Sequence, residues 1–242
     1  MAESAPKKKF STKKKILLIV VALAAVVLLV GNLVLYWWVY PYIWYKRVAF
    51  AIQNGKCETG HVVFVGDSIT DSCDLDKYYE GLDAYNRGIA GDTTGGLLNR
   101  MKISVYDLEP SLIVLLIGTN DYQRAVPHTN EHILKNYTKI LDNIQSKLPD
   151  TKVIVQSVYP IADVNFRTHY KHGHGHIKDL NAELKTLAES HGYRFADVYS
   201  LLEDGEEEMN MEYSNDGLHP NQEGYLKISA YLRVIIDAEL AK

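Results

Sequence analysis

Residues 110–121 read PSLIVLLIGTND, an uninterrupted apolar run that ends in glycine and polar residues. Residues 61–68, HVVFVGDS, follow the same plan. Short, almost entirely apolar runs of this kind are typical of strands that are buried on both faces of a parallel sheet. Three further segments predict strands: 82–91, 151–160 and 193–198.

The segments between these strands place apolar residues three and four positions apart, which predicts amphipathic helices. They are residues 74–81, 93–107, 129–148, 176–192 and 220–240. Regular alternation of strands and helices predicts an α/β fold, with a five-stranded parallel sheet sandwiched by helices. In such folds ligand groups collect at the carboxyl ends of the strands, so we expect the functional residues there.

The composition excludes several protein classes. The chain has 242 residues, 47% hydrophobic and 23% charged, which fits one globular domain with an appendage and excludes a disordered protein. Two cysteines are too few for a disulfide scaffold or a four-cysteine zinc site. Beyond residue 47 the chain is acidic overall, which argues against a nucleic-acid partner.

The amino-terminal region predicts a membrane anchor. Residues 16–40 contain no charged side chain, and a cluster of Tyr and Trp over 36–45 lies at one end of this segment. About 20 apolar residues cross a bilayer as a helix, and aromatic rings favour the membrane interface. A cleaved signal peptide is the alternative, but its apolar core is shorter and is followed by small residues. We therefore expect one transmembrane helix over 16–40.

The charges that flank this segment predict its orientation. Six lysines precede it, whereas only Lys46 and Arg47 closely follow it. Because basic residues are retained on the cytoplasmic side, residues 1–15 are expected to form a basic cytoplasmic tail. Residues 41–61 then form an aromatic juxtamembrane segment and linker, and residues 62–242 form an extracytoplasmic catalytic domain at the cell membrane.

The two cysteines, Cys57 and Cys73, are not expected to form a disulfide. One precedes the first predicted strand and the other follows it. A strand of four residues rises on the order of 13 Å, whereas a disulfide requires Cα atoms within about 7 Å.

The first strand ends in Gly66-Asp67-Ser68, which makes Ser68 a candidate nucleophile at a strand-to-helix turn. The alternative is that Asp67 or Ser68 only caps the following helix. The segment lacks the second glycine of the G-x-S-x-G nucleophile elbow, which disfavours an α/β-hydrolase.

A base for this serine is found near the end of the chain, in residues 215–221, NDGLHPN. A serine hydroxyl is a weak nucleophile unless a base accepts its proton, and that base needs an orienting carboxylate. Asp216 and His219 can face the same side of a glycine-containing turn. An Asp-Gly turn with a chance histidine explains this segment alone, but not its coincidence with Ser68 at a suitable strand end.

Four segments together resemble the signature blocks of the GDSL/SGNH hydrolase family, a family of serine esterases and lipases. They are GDSIT (66–70), NRGIAGDTT (86–94), IGTND (117–121) and NDGLHPN (215–221). The resemblance implies a flavodoxin-like fold, with Ser68 as nucleophile, His219 as general base and acid, and Asp216 orienting the imidazole. It also implies an oxyanion hole formed by the amides of Ser68 and Gly91 and the side chain of Asn120.

Some assignments within this pattern have competitors. Gly88 is the alternative to Gly91, but Ala-Gly-Asp-Thr matches the family block better. Asp197, at the end of the fifth predicted strand, competes with Asp216 as the acid of the triad. Three further carboxylates each neighbour a candidate residue and are interpreted as supporting or capping groups: Asp67, Asp92 and Asp121.

Residues 169–176, HYKHGHGH, contain four histidines and follow the fourth strand. Alternating His and Gly could bind a transition metal. The alternative is a polar loop over the site, and the chemistry implied by the resemblance needs neither a metal nor another cofactor.

These observations favour a membrane-anchored serine esterase that hydrolyses short-chain or O-acetyl esters through a covalent acyl-enzyme. The expected partner is an acyl-ester substrate, such as a glycan O-acetyl group, a small ester or a lysolipid. Two alternatives remain: a lysophospholipase or acyl thioesterase, and a catalytically silent surface-binding module with the same fold.

Overall fold

The computed structural model describes residues 12–122, 129–162, 164 and 174–242. Within these residues, five parallel strands form one sheet in the order β2-β1-β3-β4-β5. The strands are β1 (Val62–Gly66), β2 (Ala84–Gly88), β3 (Leu112–Leu116), β4 (Lys152–Gln156) and β5 (Arg194–Ala196). The prediction of an α/β fold with a five-stranded parallel sheet is confirmed.

Nine helices are described in the same residues, of which α1, α6, α7 and α9 are long. They are α1 (Thr12–Asn54), α2 (Ser68–Asp71), α3 (Leu75–Tyr78), α4 (Thr94–Leu98), α5 (Met101–Ser104), α6 (Asn130–Lys147), α7 (His174–Ser190), α8 (Tyr199–Leu202) and α9 (Gln222–Leu240). Two short 3₁₀ turns cover Tyr106–Leu108 and Thr119–Asp121.

The core lies on both faces of the sheet because side chains alternate along each strand. Val63 and Val65 of β1 pack with apolar residues of α4, α5, α6 and α7. Val62 and Phe64 point to the other face and pack with α2, α8 and α9. Both strands at the centre, β1 and β3, are buried along their whole length, which explains their continuous apolar sequences.

The register of the strands places the loops that follow β1, β2 and β3 side by side. Gly66, the last residue of β1, pairs with Gly88 of β2 and with Leu116 of β3. A Cβ atom at Gly66 would lie 2.1 Å from the Leu116 carbonyl oxygen, so no larger residue fits there. The three loops that carry the candidate residues Ser68, Gly91 and Asn120 therefore begin at the same edge of the sheet.

The helix predicted over 93–107 is divided into α4, α5 and a 3₁₀ turn. Gly95 and Gly96 weaken the helix, because glycine loses much conformational freedom when it becomes helical. The interruption occurs at Asn99 and Arg100, where the Arg100 backbone leaves helical geometry (φ −125°, ψ 8°). Its side chain is buried there, with the residue only 2% exposed.

Residue contacts divide the chain into two compact units, Met1–Lys46 and Arg47–Lys242. The second unit therefore includes the end of α1, where the sequence predicted a linker over 41–61. Phe50 is buried, and the Asn54 side-chain amide donates to the Ile103 carbonyl at 2.7 Å. The Arg87 guanidinium contacts this helix end through Gln53 and Asn54.

The described residues of the first unit belong to the earlier part of α1. Large apolar side chains here are exposed, among them Val27 and Leu28. Across the part of the chain that the structure describes, no helix combines the length and the apolar character needed to cross a membrane. The membrane span over 16–40 stays a prediction.

Both cysteines, Cys57 and Cys73, are free thiols. The Arg87 guanidinium donates to the Cys57 sulfur at 3.4 Å. Burial raises the pKa of the Cys73 thiol to about 12, so this thiol is protonated at neutral pH.

Candidate active site

Ser68 is the first residue of α2, directly after β1. Asp67 caps this helix, because its Oδ1 accepts a hydrogen bond from the Ile69 N–H at 3.0 Å. The capping role considered for Asp67 is confirmed. The side chain of Ser68 remains partly exposed at the edge of the sheet, where a substrate can reach it.

Asp216 and His219 lie in the turn that precedes α9. Asp216 Oδ2 lies 2.8 Å from His219 Nδ1. The other oxygen, Oδ1, accepts hydrogen bonds from the backbone N–H groups of Leu218 and His219 at 2.9 and 2.8 Å. Gly217 makes this turn possible, because its φ of +77° is a conformation that other residues rarely adopt.

Ser68 Oγ lies 2.9 Å from His219 Nε2, although the two residues are 151 positions apart in the chain. The Ser68 hydroxyl, the imidazole of His219 and the carboxylate of Asp216 therefore form a continuous hydrogen-bonded chain. Partial burial raises the pKa of Asp216, but the hydrogen bonds from His219 and Leu218 outweigh it and lower the pKa to about 2. The carboxylate is thus ionised at neutral pH.

Gly91 lies in the loop that follows β2, with an exposed backbone and a φ of +75°. The residues before it are fixed: the Ile89 N–H donates to the Gly66 carbonyl and the Ala90 N–H to Asp71 Oδ2, both at 3.1 Å. The Gly91 N–H contacts no acceptor within the described ranges. This amide is thus available to a ligand.

Asn120 lies in the 3₁₀ turn that follows β3 and is 7% exposed. Its Nδ2 donates to the Asp92 carbonyl at 2.9 Å. A side-chain amide has two N–H donors, so the second remains available. The contact also links the loop after β3 to the loop after β2, because Asp92 directly follows Gly91.

Three carboxyl groups, those of Asp67, Asp92 and Asp121, are buried below this edge of the sheet. Burial raises the pKa of Asp67 to about 7, and the carboxylates of Asp92 and Asp121 add to this effect. Asp67 Oδ2 contacts no hydrogen-bond partner among the residues described. Asp121 is bound differently, since it accepts from the backbone N–H and the hydroxyl of Thr94 at 2.9 and 2.7 Å.

Residues 64–227 match the model of the GDSL-like Lipase/Acylhydrolase family, which covers more than half of the chain. The chain belongs to this family. It is a hydrolase that acts on esters, and the five-stranded sheet is the fold of the family. All five candidate residues lie within the matched range.

Curated relatives and solved structures agree with this membership. Subunit alpha2 of the human platelet-activating factor acetylhydrolase IB is 28% identical over 206 residues, 80% of this chain and 83% of that protein. The Drosophila melanogaster homolog of the beta subunit is 31% identical over 122 residues, 48% of this chain and about half, 52%, of its own length. A GDSL-like lipase from Bacteroides thetaiotaomicron has 26% identity and a TM-score of 0.73, covering 79% of this chain and 97% of its own.

In this GDSL-like hydrolase, Asp197 does not contact His219. Its carboxylate accepts from the Ser200 hydroxyl at 2.7 Å and from the Ser200 N–H at 3.2 Å, at the start of α8. The contact of Asp216 with the imidazole therefore distinguishes between the two candidate acids.

The sequence did not single out Arg100, whose buried guanidinium contacts Asp92 at 2.6 Å. The sequence signal for Arg100 is weak, because an arginine in an amphipathic segment normally predicts an exposed position. The only indication in the sequence is that Arg100 is a basic residue at the end of a glycine-rich segment.

The histidine-rich segment 169–176 lies largely outside the described residues. His176 is described and exposed, and its carbonyl accepts a hydrogen bond from Asn130 Nδ2 at 2.9 Å. Among the residues that the structure describes, no group of three or more His, Cys, Asp or Glu side chains could hold a metal ion.

Proposed function

We propose that this GDSL-like hydrolase is a serine esterase in which Ser68 is the nucleophile, His219 the general base and acid, and Asp216 the orienting carboxylate. The observation that carries the proposal is the hydrogen-bonded chain from Ser68 Oγ through the imidazole to Asp216. A carboxylate on Nδ1 holds the proton there, so Nε2 is the basic nitrogen that faces the serine.

In the acylation step, His219 Nε2 accepts the proton of Ser68 as Oγ forms a bond to the acyl carbon. The electrons of the carbonyl double bond move to its oxygen and form a tetrahedral oxyanion. When the ester bond breaks, the imidazolium returns its proton to the departing alcohol oxygen. Water then attacks the acyl-enzyme with the same proton transfers, which releases the acid and restores Ser68.

The oxyanion requires donors that are fixed before the reaction begins. We assign this role to the backbone N–H groups of Ser68 and Gly91 and to the Asn120 side chain. Two observations support this assignment. The Gly91 N–H contacts no acceptor among the described residues. One N–H of the Asn120 side chain is held by the Asp92 carbonyl, which leaves the second N–H to donate to the oxyanion.

The substrate class we favour is a short-chain or O-acetyl ester. The human relative is named an acetylhydrolase, and an acetyl group is the shortest common acyl group. A lysophospholipid or an acyl thioester would react at the same serine. Comparing acetylated sugars, p-nitrophenyl esters of increasing chain length, lysophospholipid and acyl thioesters at equal enzyme concentration separates these classes.

We further propose that residues 16–40 anchor the enzyme in the cell membrane, with residues 48–242 outside the cytoplasm. The support is the uncharged apolar run and the six lysines that precede it.

The experiment that tests the serine mechanism combines turnover with covalent labelling. The full-length chain should hydrolyse p-nitrophenyl acetate and should be labelled by a fluorophosphonate at Ser68. A catalytically silent binding module would release no more product than its Ser68→Ala variant. Equal hydrolysis by the native chain and by Ser68→Ala would refute both the nucleophile and the triad.

A further inference from the structure

The geometry points to Arg100 as a positioning residue that holds the oxyanion-binding loop, residues 89–92, in place. Through Asp92 it also fixes the side chain of Asn120. This inference rests on the serine mechanism proposed above. It concerns how the oxyanion donors are held, whereas the proposed function concerns which groups react.

The guanidinium of Arg100 donates hydrogen bonds to four different residues. Nε donates to Asp92 Oδ2 at 2.6 Å, and Nη2 donates to the Gly66 carbonyl at 2.8 Å. Nη1 donates to the Arg87 carbonyl and to the Ser104 hydroxyl, each at 2.8 Å. A guanidinium has five N–H donors in a rigid plane, so one side chain can serve acceptors that lie in different directions.

Two of these acceptors, Gly66 and Asp92, are close in sequence to a proposed oxyanion donor. Gly66 lies two residues before Ser68, at the end of β1. Asp92 directly follows Gly91, and its own carbonyl accepts the Asn120 Nδ2 hydrogen bond at 2.9 Å. The Asp92 carboxylate therefore accepts a hydrogen bond from Arg100, and its main-chain carbonyl accepts one from Asn120. A displacement of Asp92 would move the Gly91 and Asn120 donors together.

The electrostatics make this arrangement sensitive to the identity of residue 100. Burial raises the pKa of Asp92, and the adjacent positive charge of Arg100 opposes this rise. Removing the guanidinium would leave a buried carboxylate near Asp67 and Asp121 without its cation, which is costly. A lysine keeps the charge but has a single nitrogen that cannot reach all the acceptors.

A matched control is available one strand away. Arg87 is also buried, at 3% exposure, but its guanidinium contacts Gln53 and Asn54 at the end of α1 and Cys57 beyond that end. Only its backbone carbonyl contacts Arg100. Replacing Arg87 by lysine thus perturbs a buried arginine to a similar degree without changing the side-chain contacts of the oxyanion-binding loop.

The test compares Arg100→Lys with Arg87→Lys in the full-length chain, using hydrolysis of p-nitrophenyl acetate. Active sites are counted by fluorophosphonate labelling, so that loss of folded protein is separated from loss of rate. We expect Arg100→Lys to lower kcat per labelled site by about 10–100-fold, with KM changed less than about threefold. Arg87→Lys should keep the native kcat per labelled site.

A double-mutant cycle tests the connection through Asp92. In an Asn120→Ala background, the fold-decrease in kcat caused by Arg100→Lys should be at least about threefold smaller than in the native background. The reason is that one of the two donors that Arg100 positions is already absent. If Arg100→Lys does not fold, Arg100→Gln combined with Asp92→Asn removes both buried charges and is measured in its place.

The result that would overturn the inference is a native kcat per labelled site in the Arg100 variant, or the same loss in Arg100→Lys and Arg87→Lys. Independent effects of Arg100→Lys and Asn120→Ala would also overturn it. These outcomes differ from failure of the serine mechanism. In that case the fluorophosphonate would not label the native chain, and Ser68→Ala would not lower the activity.

Discussion

The side-chain amide of Asn120 donates a hydrogen bond to the backbone carbonyl of Asp92 at 2.9 Å, across two loops that follow different strands. This contact uses one N–H and directs the other away from Asp92. An amide that is already held loses little freedom when an oxyanion forms, so it can stabilise the transition state without reorganising. The first predictions follow from this relationship and from the contacts of Ser68.

Replacing Ser68 or His219 by alanine should abolish most of the activity. Ser68→Ala removes the nucleophile and His219→Ala removes its base, so each should lower kcat by roughly 10⁴–10⁶-fold. Steady-state hydrolysis of p-nitrophenyl acetate measures the loss. Ser72→Ala, at an exposed position four residues further along, is the matched control and should retain native turnover. Activity of Ser68→Ala close to that of Ser72→Ala would contradict the mechanism.

Asn120→Ala should lower kcat by roughly 10²–10³-fold, because it removes one donor to the oxyanion. The Michaelis constant should change much less, since the charge develops only in the transition state. Asn99→Ala, at an exposed position, serves as control. A rise in KM with an unchanged kcat would instead show that Asn120 binds the ground state of the substrate.

Asp67 should make stability fall as the pH rises. Its pKa in the folded protein is about 7, raised by burial above an ordinary value of 3.8. The folded state therefore holds this proton more tightly, and the associated stability is fully present below about pH 4 and is lost towards pH 7. Asp67→Asn, which resembles the protonated acid, should remove this dependence.

Urea unfolding of the full-length chain at several pH values measures the Asp67 effect. Between pH 4 and 7 the free energy of unfolding of Asp67→Asn should rise relative to the native chain, by on the order of 2–4 kcal/mol. Asp83→Asn, at an exposed carboxyl, should show no comparable change. A constant difference between Asp67→Asn and the native chain would mean that the pKa of Asp67 is the same in the folded and the unfolded protein.

Chelation should leave the rate of ester hydrolysis unchanged, because both the proposed nucleophile and the oxyanion donors are protein groups. Replacing His172, His174 and His176 together should change substrate preference more than the maximal rate. The measurements are rates with and without EDTA over the substrate panel. Loss of all activity on chelation, followed by recovery with zinc, would assign the chemistry to the histidine-rich segment.

The proposed membrane topology predicts a protease pattern in intact cells. Protease added outside should digest residues 48–242 and leave the amino-terminal lysines protected, because six basic residues precede the apolar run. Antibodies against tags at the two termini detect the products. Protection of the carboxyl-terminal tag would reverse the proposed orientation, and disrupted cells provide the control for accessibility.

The sequence predicts the sheet well because its strands depend on local patterns, and the same patterns indicate the five candidate residues. The apolar runs ending at Gly66 and Leu116 are strands buried on both faces, and polar residues follow them at one edge. Arg100 could not be predicted, because its burial depends on acceptors from β1, β2 and the loop at Asp92 that meet only in the folded chain. The break in the helix predicted over 93–107 could not be predicted for the same reason, because the break directs the Arg100 side chain towards these acceptors.

The packing of the end of α1 determines where a soluble fragment of the enzyme should begin. Phe50 is buried and lies beneath the Arg87 guanidinium, and Arg47 donates to the Asn99 carbonyl at 3.0 Å. A fragment cut at the first strand would lose Phe50 and leave Arg87 without its acceptors in Gln53 and Asn54. Crystallisation or expression of the catalytic unit should therefore start before Arg47, so that the last turns of this helix keep their contacts with Arg87 and Asn99.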